Sequence, residues 1–319
     1  MQPLAKLIWM DGRLRPWEEA RVHVMAHTLH YGMGVFEGIR CYAQNSGSQA
    51  GPPAIFRLEE HVDRLFDSAR CIGMDVPFDR AALMDACRAA VRENGISDGY
   101  LRPIAFHADG EPGLGSITPV SVAVIAFAWG AYLGRDGLEK GVRTTISPWI
   151  RGHGGASMHH AKVAGQYTTS VLAKRLAKRN GFDEALLCDV DGNLCEGTGE
   201  NLFVVRGGVL KTPPEWAAIL PGITRRTVLT LARSMAAELK IEVREEPFAR
   251  DELFLAEEAF LTGTAAEITP IREVDHQTIG SGRRGPVTEA LQRVFFRIVR
   301  GEEFRDPAWR AWLAPVGPA

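Results

Sequence analysis

Lysine is scarce in this chain of 319 residues: only seven of its 37 basic residues are Lys, and the other thirty are Arg. Charge of one sign is also lacking, since those 37 cations face 39 acidic residues for a net charge of −2. That balance excludes a wholly basic nucleic-acid binder and an acidic disordered tail. No apolar run is long enough to span a bilayer. The longest, Val120 to Trp129, contains Ser121 and reaches half of the ~20 residues a membrane helix needs. The five cysteines, Cys41, Cys71, Cys87, Cys188 and Cys195, are odd in number and form no CxxC pair. A disulfide framework and a structural zinc site are therefore not expected, and a reducing cytosol is. The first twenty residues are interrupted by charge too early to read as a signal peptide. What remains is a hydrophobic share of 45%, above the disordered range, and a length that suggests about two domains. These features predict a soluble cytoplasmic protein.

Short strands are predicted at Lys6–Trp9, Arg21–Met25 and Val35–Tyr42, the first followed by an Asp11-Gly12 turn. The Gly/Ser/Pro-rich stretch Asn45–Pro53 reads as an exposed hairpin loop. Val62, Leu65, Phe66, Ala69 and Ile72 fall at helical spacing. So do Leu83, Cys87, Ala90 and Val91 after an Asp79 cap, with Asn94-Gly95 as the stop. Leu101–Phe106 and Val120–Trp129 follow as strands. Gly130–Gly141 carries four glycines and is the expected domain boundary. Beyond it come a strand at Val142–Ser147, a helix near Gln166–Arg179 and a strand at Ala185–Val190 turning at Asp191-Gly192. A hairpin over Leu202–Leu210 turns at Gly207-Gly208, and helices are expected at Thr224–Leu239 and Val287–Val299. Hairpins and helices alternate without a regular βαβ rhythm, so the expected class is α+β.

Three patterns could carry chemistry. His23, His27 and His30 have the spacing of ligands on one helical face. Their segment begins with β-branched alternation and runs into glycine, so no metal site is expected. The glycines from Gly32 to Gly38 superficially match a dinucleotide fingerprint, with the third glycine one residue late and no acidic strand end following. Leu220-Pro221-Gly222-Ile223-Thr224 places Pro-Gly before a helix, where backbone N–H groups and the positive dipole end suit a phosphate. Thr262-Gly263-Thr264-Ala265-Ala266 is a second run of small donors. Alone, each is equally an ordinary helix start or turn.

Six segments occur in this order: His30-Tyr31-Gly32 with Val35-Phe36-Glu37-Gly38-Ile39-Arg40; Tyr100-Leu101-Arg102-Pro103; Ala161-Lys162 with Gly165-Gln166-Tyr167; Glu196-Gly197-Thr198-Gly199-Glu200-Asn201-Leu202-Phe203; Leu220 to Thr224; and Gly263 to Glu267. Together they strongly resemble the branched-chain amino acid aminotransferases, pyridoxal phosphate enzymes of fold type IV, from about Ile8 to about Gly301. The resemblance implies a small N-terminal α/β domain over residues 1–129, an interdomain loop over 130–141 and a larger C-terminal pseudo-barrel domain binding pyridoxal 5′-phosphate over 142–319. It also implies a homo-oligomer, dimer or hexamer, acting on small amino and 2-oxo acids.

Residue roles carry over position by position. Lys162 resembles the lysine that bonds the cofactor and moves the substrate proton. It sits among Ala161, Val163, Ala164 and Gly165, whereas Lys174 and Lys178 share a helix with Arg175 and Arg179 and read as surface cations. Glu196 resembles the carboxylate on the pyridine nitrogen, Tyr167 the phenol on the ring oxygen, and Arg57 the phosphate-binding arginine. Ile223, Thr224 and Thr264 would complete the phosphate cup, and Leu220 would pack on the ring. Phe36, Tyr31, Trp129 and Tyr132 resemble the aromatic wall of the side-chain pocket, with Gly38 beside them. Tyr100 with Thr264 and Ala265 would hold the α-carboxylate, and Arg102 the second carboxylate of glutamate or 2-oxoglutarate.

The chain departs from the family pattern at Val163-Ala164-Gly165-Gln166, at Met158-His159-His160 and at Cys195, each bearing on substrate preference. The expected reaction exchanges the amino group of leucine, isoleucine or valine with 2-oxoglutarate. Within the same fold, D-amino acid and (R)-amine transaminases and aminodeoxychorismate lyases are the rivals. Phe36-Glu37-Gly38-Ile39-Arg40 with Tyr100-x-Arg102 argues against each.

Overall fold

A computed structural model describes residues 4–45, 51–130 and 133–317, the side chain of Arg135 excepted. The candidate Tyr132 and most of the loop expected at Asn45–Pro53 lie outside the described residues. The protein is α+β, and its chain divides into two compact units. One comprises residues 1–130, 161–166 and 297–319; the other comprises 131–160 and 167–296.

The first unit is built on an eight-stranded sheet that is antiparallel throughout. Its long central hairpin pairs Gly99–His107 with Val120–Ala128. The expected strand over Val35–Tyr42 is two strands, Gly34–Phe36 and Ile39–Gln44, broken at Glu37-Gly38. Two helices cover one face. Leu58–Cys71 buries Leu58, His61, Val62, Leu65, Ser68 and Ala69, a stripe at 3.6-residue spacing. Arg80–Glu93 starts where the Asp79 carboxylate accepts the Ala82 N–H at 2.8 Å, a side-chain cap worth ~1 kcal/mol. Their apolar faces join Ile39, Ile55, Leu101 and Val124 in one core. Ala161 and Val163 belong to that core too, which is why this short segment belongs to the first unit although residues 131–160 separate it from Gly130 in sequence.

The strand expected at Arg21–Met25 does not form. Val22 and Val24 stay exposed at 46% and 70%, so the alternation finds no face to bury. A short helix, His27–Tyr31, follows instead.

In the second unit the strands Leu194–Gly197, Glu184–Cys188, Val142–Ile146, Glu267–Val274, Glu258–Gly263 and Asn201–Arg206 are neighbours in that order. The first and last also pair, Glu196 opposite Asn201, so the sheet closes on itself. Closure removes the edges a six-strand ribbon would leave. The hairpin turn at Gly207-Gly208 has positive φ at both residues, +56° and +73°, as a two-residue turn between right-twisted strands requires. The stretch Gly130–Gly141, read as a loop, contains the helix Gly134–Lys140. The helix expected over Thr224–Leu239 is two, Ile223–Ser234 and Ala236–Leu239, interrupted at Met235.

Candidate active site

In the first unit Lys162, Arg102 and Tyr100 gather around Phe36. Lys162 is half-buried, and its Nζ stands 4.9 Å from the Phe36 ring centroid. Its backbone is held on both sides: the Lys162 N–H donates to Ser68 Oγ at 2.9 Å, and its carbonyl accepts the Phe36 N–H at 3.2 Å. A bridge between Val35 and Val163 continues the pairing. The Arg102 guanidinium lies 4.6 Å from the Phe36 ring and 5.3 Å from the Tyr100 ring. Its Nη2 donates to Tyr100 Oη at 2.9 Å, while its buried Nε has no partner. An orphaned buried donor costs stability unless something accepts it, so this arrangement fits an anionic ligand. Tyr100 meets Trp129 edge-on at 4.7 Å. Arg40 donates to the carbonyls of Trp129 and Gly130, both at 2.8 Å, and so supports the aromatic wall from its backbone.

Gly38 has a packing reason: a Cβ there would stand 2.0 Å from Tyr100 Oη. Arg57 sits between the strand Gly51–Phe56 and the helix Leu58–Cys71 in the left-handed region, φ +52°. That conformation costs a non-glycine residue roughly 1–2 kcal/mol, and such strain collects at functional positions. Its guanidinium bonds Glu60 at 2.7 Å and lies 5.0 Å from the Trp312 ring. Tyr31 is not brought into the Phe36 cluster; it is 39% exposed, with its ring beside His27 and His30. The three histidines spend their rings on backbone. His27 Nε2 meets the Gly113 carbonyl and His30 Nε2 the Val24 carbonyl, both at 3.0 Å, and His23 Nδ1 accepts the Met25 N–H.

The second unit sets Glu196 at the seam where its sheet closes. A register shift between Leu194 and Glu196 marks a bulge, the device that re-aims a side chain within a strand. The Glu196 carboxylate is buried and receives Arg151 Nη2 at 2.8 Å, the Leu220 N–H at 3.0 Å and Asn201 Nδ2 at 3.2 Å. Asn201 also donates to the Leu220 carbonyl at 2.9 Å. Arg151 Nε reaches the Ala218 carbonyl at 3.3 Å, and His160 meets the Glu215 carbonyl at 2.9 Å. These contacts fix the segment that presents Leu220. Gly222 then has to be glycine, because a Cβ would lie 2.0 Å from Asn201 Oδ1.

Gly222 caps the helix Ile223–Ser234 without a side-chain hydrogen bond, and Ile223 and Thr224 are buried in its first turn. Thr264 and Ala265 form the turn between Glu258–Gly263 and Glu267–Val274. The preceding Thr262 is fully buried with an unpartnered Oγ1. Tyr167 opens the helix Tyr167–Arg179. Sequence reasoning missed Arg151, Asn201 and Ser68. No local signal marks Arg151 or Ser68, whereas Asn201 lay inside a quoted motif with no chemistry attached to it.

The model of the class IV aminotransferases matches residues 34–274. The branched-chain-amino-acid aminotransferase of Pseudomonas aeruginosa is 48% identical over 95% of this chain and 96% of its own. The crystal structure of the Escherichia coli branched-chain amino acid aminotransferase superposes with a TM-score of 0.90 at 44% identity, covering 98% of this chain and all of the other. The branched-chain amino acid aminotransferase of Thermobaculum terrenum, solved in its PLP holo-form, has a TM-score of 0.89 at 36% identity, covering 99% of this chain and all of the other.

Proposed function

The chain belongs to the class IV aminotransferases, and on that premise we propose which of its residues perform the reaction and how. The protein is a pyridoxal phosphate-dependent branched-chain amino acid aminotransferase. It exchanges the amino group of leucine, isoleucine or valine with 2-oxoglutarate, giving the branched 2-oxo acids and glutamate. The cofactor, when bound, supplies an electron sink for the charge left at the substrate Cα.

The residues present fit that group: a half-buried amine, a carboxylate with three donors, and a helix N-terminus with no side-chain cap. Lys162 would hold the cofactor through its amine and, when free, would carry the proton to and from the substrate Cα. Positioned transfer of this kind is worth ~10²–10⁴-fold. Glu196, its carboxylate fixed by Arg151 and Asn201, would hold a proton on the pyridine nitrogen. Tyr167 would bond the ring oxygen and Leu220 would pack on the ring. Arg57, Ile223, Thr224 and Thr264 take the phosphate. Tyr100, Thr264 and Ala265 hold the substrate α-carboxylate.

The observation that carries the substrate reading is a guanidinium set in an aromatic wall. Phe36, Tyr100 and Trp129, with Gly38 making room, suit a branched side chain, each buried CH₂ being worth ~0.8 kcal/mol. The spare donor of Arg102 suits the second carboxylate of glutamate. One pocket thereby serves both half-reactions. Tyr31 and Tyr132 are assigned to the same wall, Tyr31 within a homo-oligomer, whose size light scattering will report.

L-Leucine alone is expected to change the visible absorption of the cofactor-loaded protein, and 2-oxoglutarate to reverse the change. Lys162→Ala is expected to lower turnover by at least ~10²–10⁴-fold. Unchanged turnover would defeat the assignment of Lys162. A spectral response to D-alanine and none to leucine would move the protein to the D-amino acid reading.

A further inference from the structure

Lys162 carries the reaction in the reading above, and the structure supplies an explanation for its fixed placement. Its backbone belongs to a closed circuit within the first unit. The Lys162 N–H donates to Ser68 Oγ at 2.9 Å. Ser68 Oγ donates in turn to the Arg64 carbonyl at 2.7 Å, one helical turn back. The Arg64 guanidinium grips the Glu37 carboxylate with two bonds, Nε to Oε1 at 2.6 Å and Nη2 to Oε2 at 2.9 Å. Glu37 follows Phe36, whose N–H donates to the Lys162 carbonyl at 3.2 Å and closes the ring.

Two further bonds lock the carboxylate. His61 Nδ1 lies 2.7 Å from Glu37 Oε2, and the Gly38 N–H donates to the same oxygen at 3.2 Å. An ionised carboxylate only accepts, so the His61 proton sits on Nδ1. The Glu37 and His61 side chains are 0% and 2% exposed, and that of Arg64 12%. Burial by itself would raise the Glu37 pKa; Arg64 and His61 reverse this and hold the carboxyl well below the usual range. Burial pushes His61 down, against the pull of Glu37.

We propose that Ser68, Arg64, Glu37 and His61 are positioning residues for Lys162. They fix the height of its backbone against Phe36, and through it the placement of the amine over the Phe36 ring. The helix Leu58–Cys71 thus reaches the reactive residue by two routes, the Ser68 hydroxyl on its N–H and Arg64, through Glu37 and Phe36, on its carbonyl. The proposal rests on Lys162 being the reactive lysine. Small displacements matter here, since a shift of ~1 Å at a reacting group can cost ~10²-fold in rate.

Ser68 is the member to test, because its removal buries no uncompensated charge. Ser68→Ala is expected to lower kcat for leucine and 2-oxoglutarate about tenfold, within the range such displacements cause, while KM stays within about twofold. The pH at which the cofactor-bound lysine changes its visible absorption should also move. Ser68→Thr, which keeps the hydroxyl, should restore both, and unfolding of the cofactor-free Ser68→Ala chain should stay near wild type. If Ala does not fold, Ser68→Cys replaces it with nearly the same volume and a weaker acceptor. Wild-type kcat and an unmoved absorption profile in the substituted protein would overturn the proposal. So would a loss that tracks the folded fraction alone. Lys162→Ala separates the two readings: if it retains turnover, the function assignment fails, whereas an inert Ser68→Ala beside a dead Lys162→Ala defeats only the circuit.

Discussion

Glu37 in the first unit and Glu200 in the second are both buried, at 0% and 5% exposure, yet their surroundings push them in opposite directions. Glu37 faces two bonds from Arg64 and one from His61, and its carboxyl stays far below the usual range. Glu200 shares its surroundings with a second buried carboxylate, Glu184. Burial and the Glu184 charge push Glu200 up to about 8 from an ordinary 4.5, and Lys174 opposes them. Glu184 already gathers the Lys174 ammonium, Thr198 Oγ1 at 2.7 Å and the Ala185 N–H at 2.8 Å. The two carboxyls therefore titrate together, with Glu200 the member pushed toward its protonated form. One site meets its lone carboxylate with cations, whereas the other has two carboxyls for one ammonium and so favours a proton on the second. The first should be intolerant of losing its anion and indifferent to pH near neutrality, and the second the reverse.

The largest effect is expected at Glu37. Glu37→Gln leaves the Arg64 guanidinium buried without its counter-ion, a change that costs ~3–5 kcal/mol. Urea unfolding at pH 7 checks this, and a loss under ~1 kcal/mol would show that the pair is not a structural anchor. The double substitution Glu37→Leu with Arg64→Leu sharpens the test. Apolar replacement of a buried pair often returns stability, but here it would not return kcat, because the circuit to Lys162 stays open.

Next comes the pH dependence of Glu200. Its folded pKa is raised, so the stability it contributes is fully present below the unfolded value of 4.5 and is lost as pH rises toward about 8. Between pH 5 and pH 9 the wild-type unfolding midpoint should fall. Glu200→Gln, a neutral stand-in for the protonated acid, should flatten that fall and exceed wild type at pH 9. Parallel curves would refute the raised pKa. Glu37 contributes with the opposite sign: its stabilisation holds above the ordinary carboxylate pKa and fades only as pH drops below it.

How much of this was legible beforehand differs between local and distant features. Asp79 as a cap, the Gly207-Gly208 hairpin and the apolar stripe from Val62 to Ala69 were readable, because each depends on neighbours a few residues away. The stripe even carried a clue to the Glu37 site, since His61 and Arg64 are three residues apart on one helix and His61 falls at an apolar position. Their carboxylate lies 24 and 27 residues upstream, a distance no periodicity encodes. Lys162 and Glu196 stood out only through the family motifs, and their supports Ser68 and Arg151 did not stand out at all. Arg21–Met25 failed for the converse reason: its alternation was genuine, but tertiary structure offered it no partner strand.

The smallest effect is expected at Thr198, where the comparison reduces to one donor. Thr198 Oγ1 donates to Glu184 Oε1 at 2.7 Å, on the turn that runs from Glu196 to Asn201. Thr198→Val keeps the shape and removes the bond, at a cost of about 1–2 kcal/mol for a donor to a buried charged group. The loss makes Glu184 a poorer charged partner and Glu200 a stronger rival for the negative charge. Thr198→Ser retains the hydroxyl and should lie close to wild type in urea midpoint at pH 7. Should Ser and Val lose equally, the threonine methyl rather than its hydroxyl holds the turn. At Glu37 the donors are Arg64, His61 and the Gly38 N–H, and among the described residues no second carboxylate competes with it for the charge. A single hydroxyl on Glu184 can thus shift which of two neighbouring carboxyls carries the charge, because each is the other's rival.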